Sequence, residues 1–398
     1  MVVIRISNKG LKWTGIVLAL LLVLGAGLYI GSRFKSFIPA ASFELVDDLG
    51  GNIFPSAILA VATTDTIVVH PSETNVLGNP KSSIAIRITS PHDNARVQIM
   101  LDETPFFRKS YSEFILPKED CTYLVYPDIL WNYDALRNNT QAEPINITAH
   151  VQIKGYKSNQ EVRTFSVRSI NECLIAYIDS HNRMRRTDVL FAAYVNEENP
   201  LIDNLLREAL NTRIVNRFTG YQTKNVDKQV YALWYMLQQR NFKYSSVSNT
   251  SLSSNVVYSQ RVRTFEDAIK SSQINCVDGS VVFASLLRAI NIDPVLVRTP
   301  GHMYVGYYTD GKHKDINFLE TTMIGDIDLD DFFPEEKMDS LTKGKSQKEM
   351  SRLTFDKSKI YAEKNFEKHK SQIKSGAVGY TFLEISKSLR RKIQPIGR

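Results

Sequence analysis

The run Asn275-Cys276-Val277-Asp278-Gly279, followed by the apolar stretch from Val281 to Ile290, constrains this chain more than any other feature. The apolar spacing suits a buried helix, and Asn275 is a good N-cap for it, so Cys276 becomes the first helical residue. A thiol placed there faces unpaired backbone N–H groups and the positive end of the helix dipole. Both favour a negative sulfur and are expected to lower the thiol pKa from its free value of about 8.5. Asp278 reads as an acid of the first helical turn rather than as a catalytic group.

Two partners for the thiol come later in the chain, Gly301-His302 and then Leu319-Glu320-Thr321-Thr322. A thiol, an imidazole and a carboxylate are the parts of a Cys-His-acid nucleophilic site. Pro294 cannot continue the Cys276 helix, so the chain turns at Asn291 to Pro294. Val295, Val297, His302, Tyr304 and Tyr308 lie in segments rich in strand formers, and Asp310-Gly311 is a hairpin signal. A strand from Ile316 to Glu320 would return beside the one that carries His302. That pair, packed on the start of the helix, would put His302 next to the sulfur and Glu320 on the far ring nitrogen.

These residues resemble the transglutaminase-like cysteine hydrolases. The resemblance is carried by Cys276-Val-Asp-Gly, Phe283-Ala284-Ser285-Leu286-Leu287-Arg288-Ala289, Pro294-Val295-Leu296-Val297, Gly301-His302-Met303-Tyr304-Val305-Gly306 and Glu320-Thr321-Thr322. It extends upstream over Pro200 to Tyr244 and Ser259 to Thr264, in the manner of bacterial envelope members. The resemblance implies a papain-like α+β domain with Cys276 as nucleophile, His302 as base and Glu320 as orienting acid. Many relatives carry Asp in the third position, so Glu320 is a departure. By the same resemblance Gln260 is a candidate oxyanion donor; a surface residue ahead of a helix starting at Thr264 is its plainer reading. His302 alone would equally suit a satisfied core position, and Trp234 reads as core rather than as a substrate platform.

At 398 residues, 43% of them hydrophobic and 23% charged, the chain can hold two or three ordinary cores. Residues 1–40 differ in kind: Arg5, Lys9 and Lys12 precede an uncharged stretch from Thr14 to Ser32. It nearly spans a hydrocarbon core, which predicts a single transmembrane anchor with a cytoplasmic N-terminus and the bulk of the chain periplasmic or extracellular. A cleaved signal peptide ending near Ala40-Ala41 is the alternative. In that compartment Cys121 and Cys173 could form a disulfide, leaving Cys276 as the odd, reactive thiol.

Residues 41–178 read as a β-sandwich, immunoglobulin-like in outline. Ile84, Ile86 and Ile88 alternate with polar residues, as do Val97 and Ile99, and then Ile145 to Ile153. Residues 179–398 read as the catalytic domain, beginning with helices after Asn199-Pro200 and along Val226, Val230, Leu233 and Leu237. Lys337 to Arg398 is rich in Lys and Arg and more than accounts for the net charge of +7. Such a run is either a solvated helical face or a surface for acidic partners. By the family resemblance its last residues form a closing strap.

The expected fold class is therefore α+β, comprising an N-terminal transmembrane helix, a β-sandwich and a papain-like domain. No metal or cofactor is expected: the seven histidines are scattered, and neither Cys-x-x-Cys nor a phosphate-binding Gly loop occurs. Nucleic acid is not an expected partner. The expected activity is that of a membrane-anchored cysteine enzyme. It would act on peptide or glutamine carboxamide bonds of envelope proteins or cell-wall peptides through a thioester, by hydrolysis or acyl transfer. The alternative is an idle binding or assembly protein on the same fold.

Overall fold

Alternating side chains and short turn segments build the first half of the chain. The computed structural model describes residues 40–64, 75–179, 181–245, 254–325, 337 and 343–397. Its first elements are β1 (Phe43–Asp47), β2 (Asn52–Ile53), α1 (Pro55–Ala60), β3 (Val76–Gly78), β4 (Ile84–Thr89) and β5 (Ala95–Leu101). Then come β6 (Phe107–Arg108), β7 (Ser110–Leu116), β8 (Thr122–Tyr126), β9 (Leu130–Trp131), α2 (Tyr133–Asn138), β10 (Glu143–Ile153) and β11 (Asn159–Val167). One sheet runs β1-β4-β8-β3 and a second runs β2-β11-β10-β5-β7. Period-two burial explains both. On β5 the residues Ala95, Val97, Ile99 and Leu101 are buried while Arg96 is exposed, and β10 buries Ile145, Ile147, Ala149, Val151 and Ile153. The buried faces of the two sheets run into one continuous apolar core.

A three-stranded sheet joins this half to the next. β12 (Glu172–Ile178) pairs with β13 (Met184–Arg186) on one side and, across the chain, with β15 (Val257–Arg261) on the other. Between them lie α3 (Ile202–Asn211), α4 (Val226–Gln239) and β14 (Lys243–Tyr244). The candidate site is built from the C-terminal elements α5 (Phe265–Ser271), β16 (Gln273–Ile274), α6 (Cys276–Ala289), β17 (Pro294–Thr299), β18 (His302–Tyr308), β19 (Ile316–Leu319), α7 (Gln347–Ser375), β20 (Thr381–Glu384) and α8 (Lys387–Arg390). The last sheet, ordered β19-β18-β17-β20, is antiparallel throughout. α6 packs on β17 and β18, and α7 packs on β19.

The C-terminal residues are structural. β20 completes the last sheet, and Ile385, Ile393 and Ile396 are buried. The Ile396 N–H donates to the Ala193 carbonyl at 2.9 Å and the Gln394 N–H to the Ala60 carbonyl at 2.7 Å, which ties the end of the chain to both halves. The basic run is largely the outer face of α7, whose opposite side buries Phe355, Ser358, Ala362 and Ile373.

Two expectations need correction. The described fold is α+β, but among the described residues no helix is long and apolar enough to cross a membrane. The longest, α7, carries lysines along its length, and charged side chains do not enter hydrocarbon cheaply. The stretch from Thr14 to Ser32 lies outside the described residues. The described fold is thus α+β without a transmembrane element, and no described helix supports the single-pass placement. Cys121 and Cys173 form no disulfide; both are free thiols. Cys173 sits fully buried within β12, whereas Cys121 comes after the turn that ends β7. Asp310-Gly311, a hairpin signal in the sequence, does lie in the connection of the antiparallel β18–β19 hairpin. The Asp310 carboxylate accepts from the N–H groups of Lys312, Lys314 and Asp315, which organises a loop whose left-handed residue is His313.

Candidate functional site

Local capping chemistry fixes the thiol. The Asn275 side chain accepts from the N–H groups of Val277 and Asp278, both at 2.8 Å, and the Asp278 carboxylate accepts from the Asn275 N–H at 3.1 Å. This capping box starts α6 at Cys276. It also engages the neighbouring first-turn donors, so the Cys276 N–H is left without a partner among the described residues. A free N–H on the thiol's own residue, at a helix start, is suited to an oxyanion.

Asp278 is completely buried and does more than cap. Its carboxylate accepts from the Arg263 backbone at 2.8 Å and from Arg263 Nη1 at 2.5 Å, tying the segment between β15 and α5 to the start of α6. Gly279 has an equally local cause. A Cβ there would stand 2.8 Å from Thr321 Oγ1, so only glycine lets α6 approach the turn after Glu320 so closely.

His302 is placed by a tight turn. Thr299 and His302 face each other at the end of the β17–β18 pair, with Pro300 and Gly301 between them and Gly301 at φ 76°. Proline presets the first turn position and glycine supplies the left-handed second one. His302 Nε2 lies 2.6 Å from Glu320 Oε2, which leaves Nδ1 free of that carboxylate. Cys276 lies close enough to the ring to act on its protonation. Burial alone would lower the imidazole pKa. The contacts with Cys276 and Glu320, and the negative charge of both, outweigh it and push the value from 6.5 up to about 10.

Glu320 is almost fully buried, at 2% exposure, against 28% for the His302 side chain. Its second oxygen accepts from the Thr322 N–H at 3.1 Å and the Thr322 hydroxyl at 2.7 Å. With both oxygens engaged, the carboxylate can orient the ring and balance an imidazolium while the ring edge stays open to solvent. The structure thus brings Cys276, His302 and Glu320 together in a chain, with the thiol beside the imidazole and the imidazole hydrogen-bonded to the carboxylate.

Gln260 is not part of that chain. Its backbone pairs with Cys173, and its side-chain amide donates to the Arg261 carbonyl at 3.3 Å. The first-turn N–H of Cys276 is the better-placed donor. Cys173 is inert, since complete burial drives its thiol pKa far upward. Trp234 is fully buried against Phe283 and Phe355, and so belongs to the core.

Three groups escape the sequence reading. Arg263 is one. Tyr244 is another: its half-exposed phenol feels the charges of Cys276 and Glu320, and burial together with those charges raises its pKa, so it remains a hydrogen-bond donor near the thiol. Ser358 is the third. From the buried face of α7 its hydroxyl accepts from the Glu320 N–H at 2.9 Å and donates to the Glu320 carbonyl at 3.1 Å. Its only sequence signal is a small polar residue on the apolar stripe of a charged helix.

Ser358→Ala is expected to leave the buried Glu320 N–H unpaired and the Glu320 carbonyl with the Met323 N–H alone, and to cost about 1–3 kcal/mol in stability measured by urea unfolding. It should also slow alkylation of Cys276 at neutral pH, although Ser358 touches neither thiol nor ring. Unchanged alkylation would mean that Thr322 and His302 hold Glu320 without it. A scan of the chain against protein-family models and a search of curated proteins each return no match.

Proposed function

We propose that the chain is a cysteine acyl-transfer enzyme of the transglutaminase-like kind, acting on a peptide bond or a glutamine carboxamide. The single observation behind this reading is the imidazole of His302 held between the Cys276 thiol and the buried Glu320 carboxylate. In the reaction, His302 holds the thiol proton and the sulfur attacks the carbonyl carbon, forming a C–S bond. The Cys276 N–H stabilises the oxyanion. Collapse breaks the C–N bond, and the imidazolium gives its proton to the departing amine. Water or an acceptor amine then attacks the thioester with His302 as base. The thiol returns, and the product leaves as an acid or a new amide. Hydrolysis and transfer use the same side chains.

The three cysteines provide an internal test. At pH 6 to 7, substoichiometric iodoacetamide and subsequent peptide mass mapping are expected to show Cys276 labelled well ahead of the partly exposed Cys121, with Cys173 unlabelled. Equal labelling of Cys121 and Cys276 would sink the activated-thiol reading. Incubation with a glutamine-containing peptide and hydroxylamine should then give a peptide hydroxamate, and Cys276→Ala should abolish it. Fast labelling with no hydroxamate from any carboxamide peptide would favour the idle binding protein instead.

A further inference from the structure

The catalytic half carries a second recess, of about 450 Å³ and open to solvent, where the start of α4 meets the start of α7. None of the Cys276, His302 or Glu320 side chains lines it. Four cations do, Arg213, Lys228, Lys348 and Arg352, against one carboxylate, Asp227.

That carboxylate is already engaged. Asp227 accepts from Lys359 Nζ at 2.7 Å, from the Tyr307 hydroxyl at 2.6 Å and from Arg352 Nη2 at 3.3 Å. Arg352 is held rigid as well, with Nε 3.0 Å from Asp356 and its guanidinium over the rings of Tyr231 and Phe355 at 4.9 and 5.1 Å. Among the described residues Lys348 donates only to the Thr212 carbonyl, at 3.2 Å. Arg213 and Lys228 have no side-chain partner among the described residues. A concave surface with this surplus of positive charge concentrates anions.

Arg213 also stands out in its backbone, at φ 56°. The other non-glycine residues with positive φ among the described residues are Asn, Asp, Ser and His, whose shorter side chains suit that region better. A long cationic side chain stands at this position in spite of the backbone cost. Its guanidinium offers a planar fork, and Lys228 and Lys348 offer compact point charges, a combination matched to tetrahedral oxyanions.

We propose that this recess binds a multiply charged phosphate-type oxyanion, of the size of a diphosphate group. The assignment is independent of the chemistry at Cys276.

The test uses the full chain and sodium pyrophosphate as probe, with sodium chloride at matched ionic strength and citrate as a carboxylate of similar charge. Pyrophosphate is expected to raise the melting temperature saturably and to give a titratable heat, with citrate markedly weaker. Arg213→Asn and Lys228→Ala should each weaken binding by roughly tenfold, the effect of losing one charge-assisted contact. Arg213→Asn should also melt no lower than the parent chain in the absence of anion, because asparagine tolerates the left-handed backbone. A shift no larger than that given by chloride would overturn the site. Equal response to citrate would overturn the phosphate assignment. Unaltered pyrophosphate affinity in both variants would remove the recess as its location.

Discussion

Replacing His302 with alanine is expected to lower acyl transfer from a carboxamide peptide by about 10²–10⁴-fold, the usual contribution of a positioned acid–base group. Alkylation of Cys276 at pH 7 should slow for the same reason, since the thiol loses the imidazole that takes its proton. His302→Gln is the control for the fold, because its amide can still donate to the buried Glu320 oxygen while doing no proton chemistry. Loss of both activities in the glutamine variant, with an unchanged unfolding midpoint, isolates the imidazole. Retained hydroxamate formation in both variants would remove His302 from the mechanism.

The raised imidazole pKa gives this experiment a pH signature. Leaving-amine protonation needs the imidazolium, so turnover should fall as pH rises through about 10. Stability moves in the same direction. The native imidazole holds its proton up to about 10 while the unfolded one loses it near 6.5, so between those values the unfolded chain binds fewer protons. The contribution is thus complete below pH 6.5 and is lost as pH rises through about 10. Urea midpoints of the parent chain and His302→Ala should differ most at pH 6 and converge above pH 10.

What could be read from the sequence depended on how far each interaction reaches along the chain. Asn275 as cap, Cys276 as first helical residue and His302 beside a tight turn are set within a few residues, and each is a matter of side-chain chemistry meeting unpaired backbone. The period-two runs of β5 and β10 are equally local. Ser358 and Arg263 were invisible because their value lies in what they meet: one comes from 38 residues beyond Glu320, the other from 15 residues before Asp278. The basic C-terminal run concealed a buried stripe because lysines on the outer face of α7 dominate its composition. Pairing Cys121 with Cys173 failed for a related reason, since spacing along a β-rich segment says nothing about which strands become neighbours. Asp310 marked the β18–β19 hairpin correctly, and its carboxylate gathers three N–H groups of the connecting loop.

The largest effect on stability is expected from Arg263→Ala. Asp278 is fully buried, and Arg263 supplies its only side-chain countercharge among the described residues. Removing the guanidinium leaves a carboxylate inside the protein with backbone donors alone, and breaking one side of a buried pair typically costs about 3–5 kcal/mol. The damage should reach the site. Asp278 also closes the capping box, so a shifted carboxylate loosens Asn275 and with it the position of Cys276 at the start of α6. Arg263→Ala is therefore expected to lower the urea midpoint sharply and to slow Cys276 alkylation. Arg263→Ala combined with Asp278→Asn removes the stranded charge and keeps a side-chain acceptor for the backbone, so it should recover part of the lost stability even if the single variant does not fold. A loss below about 1 kcal/mol for the single variant would mean that water reaches Asp278 and that the pair behaves as an exposed one. The thiol would then be held in place by the Asn275 cap and the β18 packing, without help from the segment between β15 and α5.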